Sequence, residues 1–196
     1  MMALEIRLIF SYISIFCSLI LVSSSKAQDF DWPSYGGDNG SSKYAPLSQI
    51  NAENVSRLVT AWEWESPDNA LVSDIIRDGG PMLRPGPFKA TPVVVDGSMY
   101  LPTTYGQIVS LNPVSGQINW IFDTKTYEDG RPTNLGFNVR GVAYWDGGEE
   151  KRIFFATNNS YLWSIDSATG IPDSGFGNDG KIDLTLGLGR PVDRGQ

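Results

Sequence analysis

The chain is 196 residues long and has 15 Lys and Arg against 22 Asp and Glu, a formal net charge of −7. It has no histidine and one cysteine, Cys17, which excludes Ser-His-Asp catalysis, histidine-ligated zinc, haem attached through C-x-x-C-H and internal disulfides. Its acidic balance is atypical of nucleic-acid-binding proteins, and 41% apolar residues are enough for a folded core.

The first segment has the layout of a secretory signal peptide. Residues 8–22 contain no charged side chain, Arg7 precedes them, and Ser25-Lys26-Ala27 follows with a small residue at each end. A membrane span needs about 20 apolar residues, so this shorter run favours a cleaved signal over an uncleaved N-terminal anchor, which is the alternative. We therefore predict a signal peptide at 1–27 and a periplasmic location.

Beyond the signal, the predicted elements are mostly strands. Helical character is confined to 51–58, where Asn51 is placed to cap a short turn. The strands are rich in β-branched and aromatic residues, and glycine-containing turns separate them. They are predicted at 58–64, 92–95, 99–103, 107–111, 118–122, 142–145, 152–157 and 161–165. The stretches 66–88 and 123–138 are predicted to be long loops, either functional or decorating the rim.

Two stretches of the chain are similar at a constant offset of 54 residues, which takes Tyr100 to Phe154 and Gly116 to Gly170. A repeat of this kind, with about four short strands in each unit, is typical of a β-propeller. A β-sandwich is the competing all-β fold, and it does not require the repeat. Propellers need about four to eight blades to close. We therefore predict an all-β fold, a partial β-propeller that requires further blades.

Several segments, taken in order, carry a family resemblance. They include Trp32-Pro33-Ser34-Tyr35-Gly36-Gly37-Asp38, Ala61-Trp62, Ala90-Thr91-Pro92-Val93, Arg140-Gly141-Val142-Ala143-Tyr144-Trp145 and Ser164-Ile165-Asp166. These segments resemble the N-terminal part of pyrroloquinoline quinone (PQQ)-dependent dehydrogenases of the glucose and alcohol type. The resemblance implies an eight-bladed quinoprotein propeller, to which residues 28–196 would contribute about two blades and, at 58–64, a strand that helps to close the ring.

The resemblance also implies an activity. Members of this family oxidise an aldose sugar, a polyol or another alcohol with PQQ held beside a calcium ion, and pass the electrons to a membrane quinone or a cytochrome. Because the cofactor carries the redox chemistry, a protein without histidine is compatible with this activity. The family's calcium ligands and catalytic base lie in later blades. We therefore assign no catalytic or metal-binding residue, and expect the chain alone to be inactive.

Two residues are candidates for binding the quinone. Arg140 matches the family arginine that meets the quinone's oxygens; at the head of an inner strand it would point toward the propeller axis, where its charge needs an anion. Pairing with a loop carboxylate such as Asp129 is the structural alternative. Lys89 stands where relatives often have a glutamate that contacts the cofactor, and a solvated lysine is the alternative there. Asn134-Leu135 replaces the adjacent cysteines of alcohol-oxidising relatives, which favours the glucose dehydrogenase side.

Trp120 matches tryptophans that, in this family, dock one blade onto the next, whereas the second repeat has Ile171-Pro172-Asp173 at that place. Gly116 and Gly170 are expected to supply turn positions with positive φ.

Two other classes of function compete with the enzyme. One is a non-catalytic propeller acting as an envelope assembly or peptide-binding scaffold. The other is a sugar-binding module, which rests on the 12% aromatic content alone. Arg140 and the opening segment 32–38 favour the dehydrogenase, since a scaffold needs neither.

Overall fold

The computed structural model of the protein describes residues 30–77, 85–132 and 136–192, without the side chains of 73–77. The predicted signal peptide and the Asn134-Leu135 pair lie outside these residues. Within them, every helix is too short or too polar to cross a membrane.

Two four-stranded antiparallel sheets make up most of the described chain. The first has the order β1 (Val93–Val95), β2 (Ser98–Pro102), β3 (Gln107–Leu111) and β4 (Ile118–Asp123). The second has the order β5 (Ala143–Asp146), β6 (Lys151–Ala156), β7 (Tyr161–Asp166) and β8 (Lys181–Asp183). Both sheets are simple meanders of consecutive strands. They confirm the predicted repeat, and we call them the first and second blades.

The turns explain the tight registers of the strands. Asp96 and Gly97 join β1 to β2, and both have positive φ (50° and 71°), as a two-residue hairpin of type I′ requires. Gly116 and Gly170, at matching places in the two blades, have φ of 71° and 73°, as predicted from the repeat.

The secondary structure differs from the prediction at two places. Residues 58–64 pair with no described strand. Because the strands with which they would close the ring belong to further blades, this strand stays a prediction. The predicted loop at 66–88 contains a helix, α1 (Asp68–Arg77), which the sequence Ser66-Pro67-Asp68 opens in the way typical of helix starts. The strand β8 was missed, because residues 174–180 interrupt the second repeat. Short 3₁₀ helices are present at Val55–Arg57 and Thr126–Asp129.

The main core lies between the two blades. Its buried side chains are Val93, Val95, Tyr100, Ile108, Val139, Ile153, Phe155 and Ile165. The opposite face of the first blade has a smaller cluster of Leu101, Val109 and Leu111, which Trp64 helps to cover. The first blade therefore uses both faces of its sheet for packing, as stacked repeats do.

The meander places alternate connections at opposite ends of each blade. The upper rim, where β1 and β5 begin, consists of residues 85–92, 103–106, 136–142 and 157–160. The lower rim consists of residues 96–97, 112–117, 147–150 and 167–170. Both blades have the same orientation, since Thr91 N donates to Arg140 O (2.8 Å) at the upper rim, and Tyr144 Oη donates to Asp96 Oδ2 (2.7 Å) at the lower rim.

Candidate functional site

The candidate site lies on the upper rim, where two chain segments run side by side. The Thr91 N–H bond to Arg140 O joins the segment before β1 to the segment before β5. Lys89 precedes Thr91 by two residues, so the two predicted cofactor residues lie on adjacent segments of one rim. The structure therefore brings Lys89 and Arg140 to the same end of two neighbouring inner strands.

Close packing fixes these two segments against each other. A Cβ at Gly86 would overlap the Phe137 carbonyl oxygen, so only glycine permits this approach of the two backbones. Phe137 and Val139 are buried on the Arg140 side. The backbone that presents Arg140 is thus held by packing below and by a hydrogen bond beside it.

The two cations are exposed and have no acidic partner in the described ranges. Arg140 does not pair with Asp129, the alternative partner; Asp129 Oδ2 accepts a hydrogen bond from Asn159 Nδ2 (2.7 Å) instead. A guanidinium and an ammonium without carboxylate partners leave this rim locally positive, although the chain as a whole is acidic. Such a site suits a ligand with several carboxylates or carbonyl oxygens.

A groove of about 590 Å³ opens beside Thr91, along the edge of β1 that faces away from β2. Its other lining residues are Trp32, Tyr35, Lys43, Pro92 and Val94. Trp32 forms a two-way backbone bridge with Val94, and the Lys43 ammonium lies 4.9 Å from the centre of the Tyr35 ring. The opening segment 32–38 therefore adds aromatic surface to the positively charged rim.

A buried carboxylate that the sequence did not single out lies below this rim. Asp68, the first residue of α1, accepts hydrogen bonds from Thr104 Oγ1 (2.8 Å), Tyr105 N (3.1 Å) and Gln107 Nε2 (2.9 Å). Burial, and next the charge of Asp68, raise the pKa of Tyr105 above its ordinary value. In sequence, an acid after Ser66-Pro67 indicates only a helix start, so its contact with a turn more than 35 residues away is visible only in the fold.

Tryptophans fasten the lower rim, and they confirm the docking role predicted for Trp120. The Trp120 Nε1–H donates to Ser167 O of the second blade (3.0 Å), and a Cβ at Gly170 would come within 2.6 Å of its ring. The same arrangement recurs one repeat earlier: Trp62 Nε1–H donates to Pro113 O (3.1 Å) and its ring covers Gly116. Residues 58–64 are therefore docked through Trp62, although they pair with no described strand.

The lower rim also has a small charged contact between the blades. Asp96 Oδ2 lies 2.6 Å from Lys151 Nζ and accepts the Tyr144 hydroxyl. The hydrogen bond from Lys151 lowers the pKa of Asp96, whereas burial and the bond to Asp96 raise the pKa of Tyr144 to about 12. In the part of the chain that the structure describes, no group of three or more His, Cys, Asp or Glu is placed to hold a metal ion.

The sequence matches one protein family over nearly all of the described chain. Residues 32–196 match the family described as PQQ glucose/ethanol/alcohol dehydrogenase, β-propeller domain. A quinoprotein glucose dehydrogenase A of Acinetobacter calcoaceticus is 28% identical over 172 residues, which are 79% of this chain and 20% of that protein. The dehydrogenase subunit of a quinone-linked alcohol dehydrogenase of Gluconobacter oxydans is 30% identical over 146 residues, 71% of this chain and 16% of that subunit.

Solved structures have the same fold. The quinohemoprotein alcohol dehydrogenase of Comamonas testosteroni superposes with a TM-score of 0.57 at 26% identity, over 81% of this chain and 20% of that one. The chain thus spans about one fifth of the length of the relatives it matches. The two blades correspond to part of a larger propeller, which confirms the predicted partial β-propeller.

Proposed function

Because the chain belongs to the family of PQQ glucose, ethanol and alcohol dehydrogenase β-propellers, we propose that it is the N-terminal part of an exported quinoprotein dehydrogenase. The complete protein oxidises an aldose, a polyol or another alcohol. The observation that supports this most is the pair of cations on the upper rim. Lys89 and Arg140 flank one inter-blade hydrogen bond, and no described carboxylate pairs with either.

The residues of the upper rim fit the quinone by charge. PQQ, when bound, supplies the two-electron oxidation that the side chains of this protein lack. Arg140 would donate hydrogen bonds to its carboxylate or carbonyl oxygens, and Lys89 would act as a second positive charge. Oxygen ligands from carboxylates and carbonyls would hold a calcium ion. We propose that most of these ligands, and the catalytic base, belong to further blades.

The proposed substrate is a class of compounds, sugars and other alcohols, and not a single compound. Relatives named for glucose and for alcohols have similar identities to this chain, 28% and 30%. The proposed preference for a sugar therefore rests on Asn134-Leu135, the place at which the family resemblance implies two adjacent cysteines in alcohol-oxidising members. Electrons would pass to a membrane quinone or a cytochrome, in keeping with the quinone in the name of the Gluconobacter oxydans relative.

Reconstitution of the full-length protein tests this function. The protein purified without cofactor is titrated with PQQ in the presence of calcium and then assayed with an electron-accepting dye on glucose, glycerol and ethanol. We expect saturable PQQ binding and oxidation of at least one of these substrates. Binding without oxidation would confine the protein to another substrate class, whereas no PQQ binding would favour the scaffold function.

Export is a separate part of the proposal. Cleavage after Ala27 would place the propeller in the periplasm, where a dehydrogenase of this kind would meet its substrate and a membrane acceptor. N-terminal sequencing of material from the periplasmic fraction should begin at Gln28. A protein that starts at Met1 and is recovered from membranes would show the uncleaved anchor instead.

A further inference from the structure

Asp68 is the one fully buried charged side chain among the described residues, with 4% of its surface exposed. A buried carboxylate is costly unless hydrogen bonds replace its water shell. Three donors do so here, a hydroxyl, a backbone N–H and a side-chain amide, and in the described ranges no cation lies within ion-pair distance. Apolar packing does not explain a carboxylate at this buried position, which depends on the three hydrogen bonds.

All three donors belong to one short stretch of the upper rim. Thr104 and Tyr105 lie in the turn between β2 and β3, and Gln107 is the first residue of β3. Since Asp68 accepts from all three, it sets the conformation of this turn from outside the blade. The turn is thus tied to the start of α1, more than 35 residues earlier in the chain.

The β2–β3 turn supports the segment that ends at Arg140. The Tyr105 ring is fully buried and meets the Phe137 ring edge-on, with centroids 4.9 Å apart and an interplanar angle of 82°. Phe137 is 1% exposed and lies three residues before Arg140. A shift of the turn would therefore displace the floor on which residues 136–140 rest.

The second blade shows that this arrangement is not a general feature of the repeat. At the matching place, Asn159 stands where the first blade has Tyr105, and it donates a single hydrogen bond to the exposed Asp129. Asn159 has no ring to support a neighbouring segment. The combination of a buried carboxylate with an aromatic contact is found beneath the candidate site and not one repeat later.

We propose that Asp68 is a positioning residue for the cofactor-binding arginine: through the β2–β3 turn and the Tyr105–Phe137 contact, it holds Arg140 where it meets the quinone. This role rests on the proposed function. It assigns to Asp68 no contact with cofactor or substrate.

The test is a double-mutant cycle on PQQ affinity in the full-length protein. Asp68→Asn keeps the shape of the side chain but offers one acceptor oxygen instead of two. We expect PQQ binding about tenfold weaker, the low end of what outer-shell partners contribute at metal sites. If Asp68 acts through Arg140, the double variant Asp68→Asn/Arg140→Ala binds no more weakly than Arg140→Ala alone. Asp166→Asn is the matched control, since Asp166 caps a lower-rim turn by accepting from Thr169.

Each outcome decides the matter. Unchanged affinity in Asp68→Asn, or losses that multiply fully in the double variant, would overturn the positioning role. An equal loss in Asp166→Asn would show a general effect on stability instead. If Asp68→Asn does not fold, Thr104→Val removes one of the three donors and must show the same non-additivity. A parent protein that does not bind PQQ overturns the proposed function, and with it the role assigned to Asp68.

Discussion

Trp120 lies opposite Ser110 on the outer strand of the first blade, and Asp173 lies opposite Ser164 in the second; their side chains have different partners. Trp120 pairs with Ser110 across the sheet and docks on the next blade through Ser167 O. The Asp173 N–H donates to Ser164 O, the repeat equivalent of Ser110, but its carboxylate turns to Arg152 (3.1 Å). At this place the second blade has a carboxylate paired with Arg152 instead of a docking indole.

This difference shows which part of the repeat is used for stacking blades. The Trp120 contact combines aromatic area with a hydrogen bond across the blade boundary, as docked tryptophans commonly do. The Arg152 cluster stays within the second blade and includes Glu150, Asp166 and Asp173, all partly exposed. We expect the aromatic dock to contribute more to stability than the ionic cluster, because exposed ion pairs are weak.

The largest effect should come from removing the aromatic dock. In the full-length protein, Trp120→Ala should lower the free energy of unfolding by about 3 kcal/mol, through lost contacts and a cavity beside Gly170. Trp120→Phe keeps a ring but loses the bond to Ser167, and should cost about 1 kcal/mol. Urea denaturation measures both. Equal costs for the two variants would mean that the hydrogen bond, and not the ring, holds the blades together.

A pair of glycines isolates the docking surface itself. Gly97 and Gly116 have the same φ of 71°, but a Cβ at Gly97 meets nothing within 4 Å, whereas one at Gly116 lies 2.6 Å from the Trp62 ring. Gly97→Ala should therefore cost about 1 kcal/mol of backbone strain. Gly116→Ala should cost roughly 2–3 kcal/mol, since the ring must also move. If thermal and urea unfolding give equal values for both, Trp62 does not dock there.

The ionic cluster of the second blade should contribute less and should depend on salt. Arg152→Gln should lower the free energy of unfolding by about 1 kcal/mol in dilute buffer, because it leaves three neighbouring carboxylates without their common partner. The loss should shrink at molar salt, where charges are screened. Lys125→Gln is the control, since its pair with Glu128 is exposed on both sides (63% and 59%). A salt-independent loss would show that Arg152 acts by packing.

The smallest effect should be the pH dependence of the lower-rim contact. The lowered pKa of Asp96 contributes stability that is present above the ordinary aspartate range and is lost as the pH falls through that lowered pKa. With Asp96→Asn, the free energy of unfolding should fall less steeply at acid pH. The difference should be less than about 1 kcal/mol, because Asp96 is half exposed. At the alkaline limb, the pKa of Tyr144 near 12 contributes stability below pH 10 that is lost towards pH 12. If the stability of Asp96→Asn depends on acid pH as the parent's does, the Asp96 contact does not contribute to stability.

Local patterns predicted most of the two sheets. Strands such as β3 and β7 were predictable because β-branched and aromatic residues recur between glycine turns. The constant offset then showed which strands of the two blades correspond. The offset fails after Pro172, where an insertion displaces β8 by several residues. The helix at Asp68–Arg77 was overlooked because the glycines and prolines that follow it dominated the composition of that stretch, although Ser66-Pro67 signalled its start.

The candidate site was only partly visible in the sequence. Arg140 and Lys89 were predicted by resemblance, and the fold brings them to one rim through the Thr91 bond. Asp68 could not be recognised, because its proposed positioning role depends on donors that are distant in sequence and on the packing of Tyr105 against Phe137. Long-range contacts of this kind leave no periodicity or spacing in the chain.

The central claim is that Arg140 binds the quinone, and its most direct test is the PQQ affinity of one variant. Full-length Arg140→Ala and its parent are titrated with PQQ in the presence of calcium, with Arg57→Ala as an exposed-arginine control. Loss of a charge-assisted hydrogen bond of about 1.5–3 kcal/mol predicts binding roughly 10- to 150-fold weaker, with Arg57→Ala unchanged. Equal affinities in the parent and Arg140→Ala, with equal melting temperatures, would contradict the claim and make Arg140 a solvated surface residue.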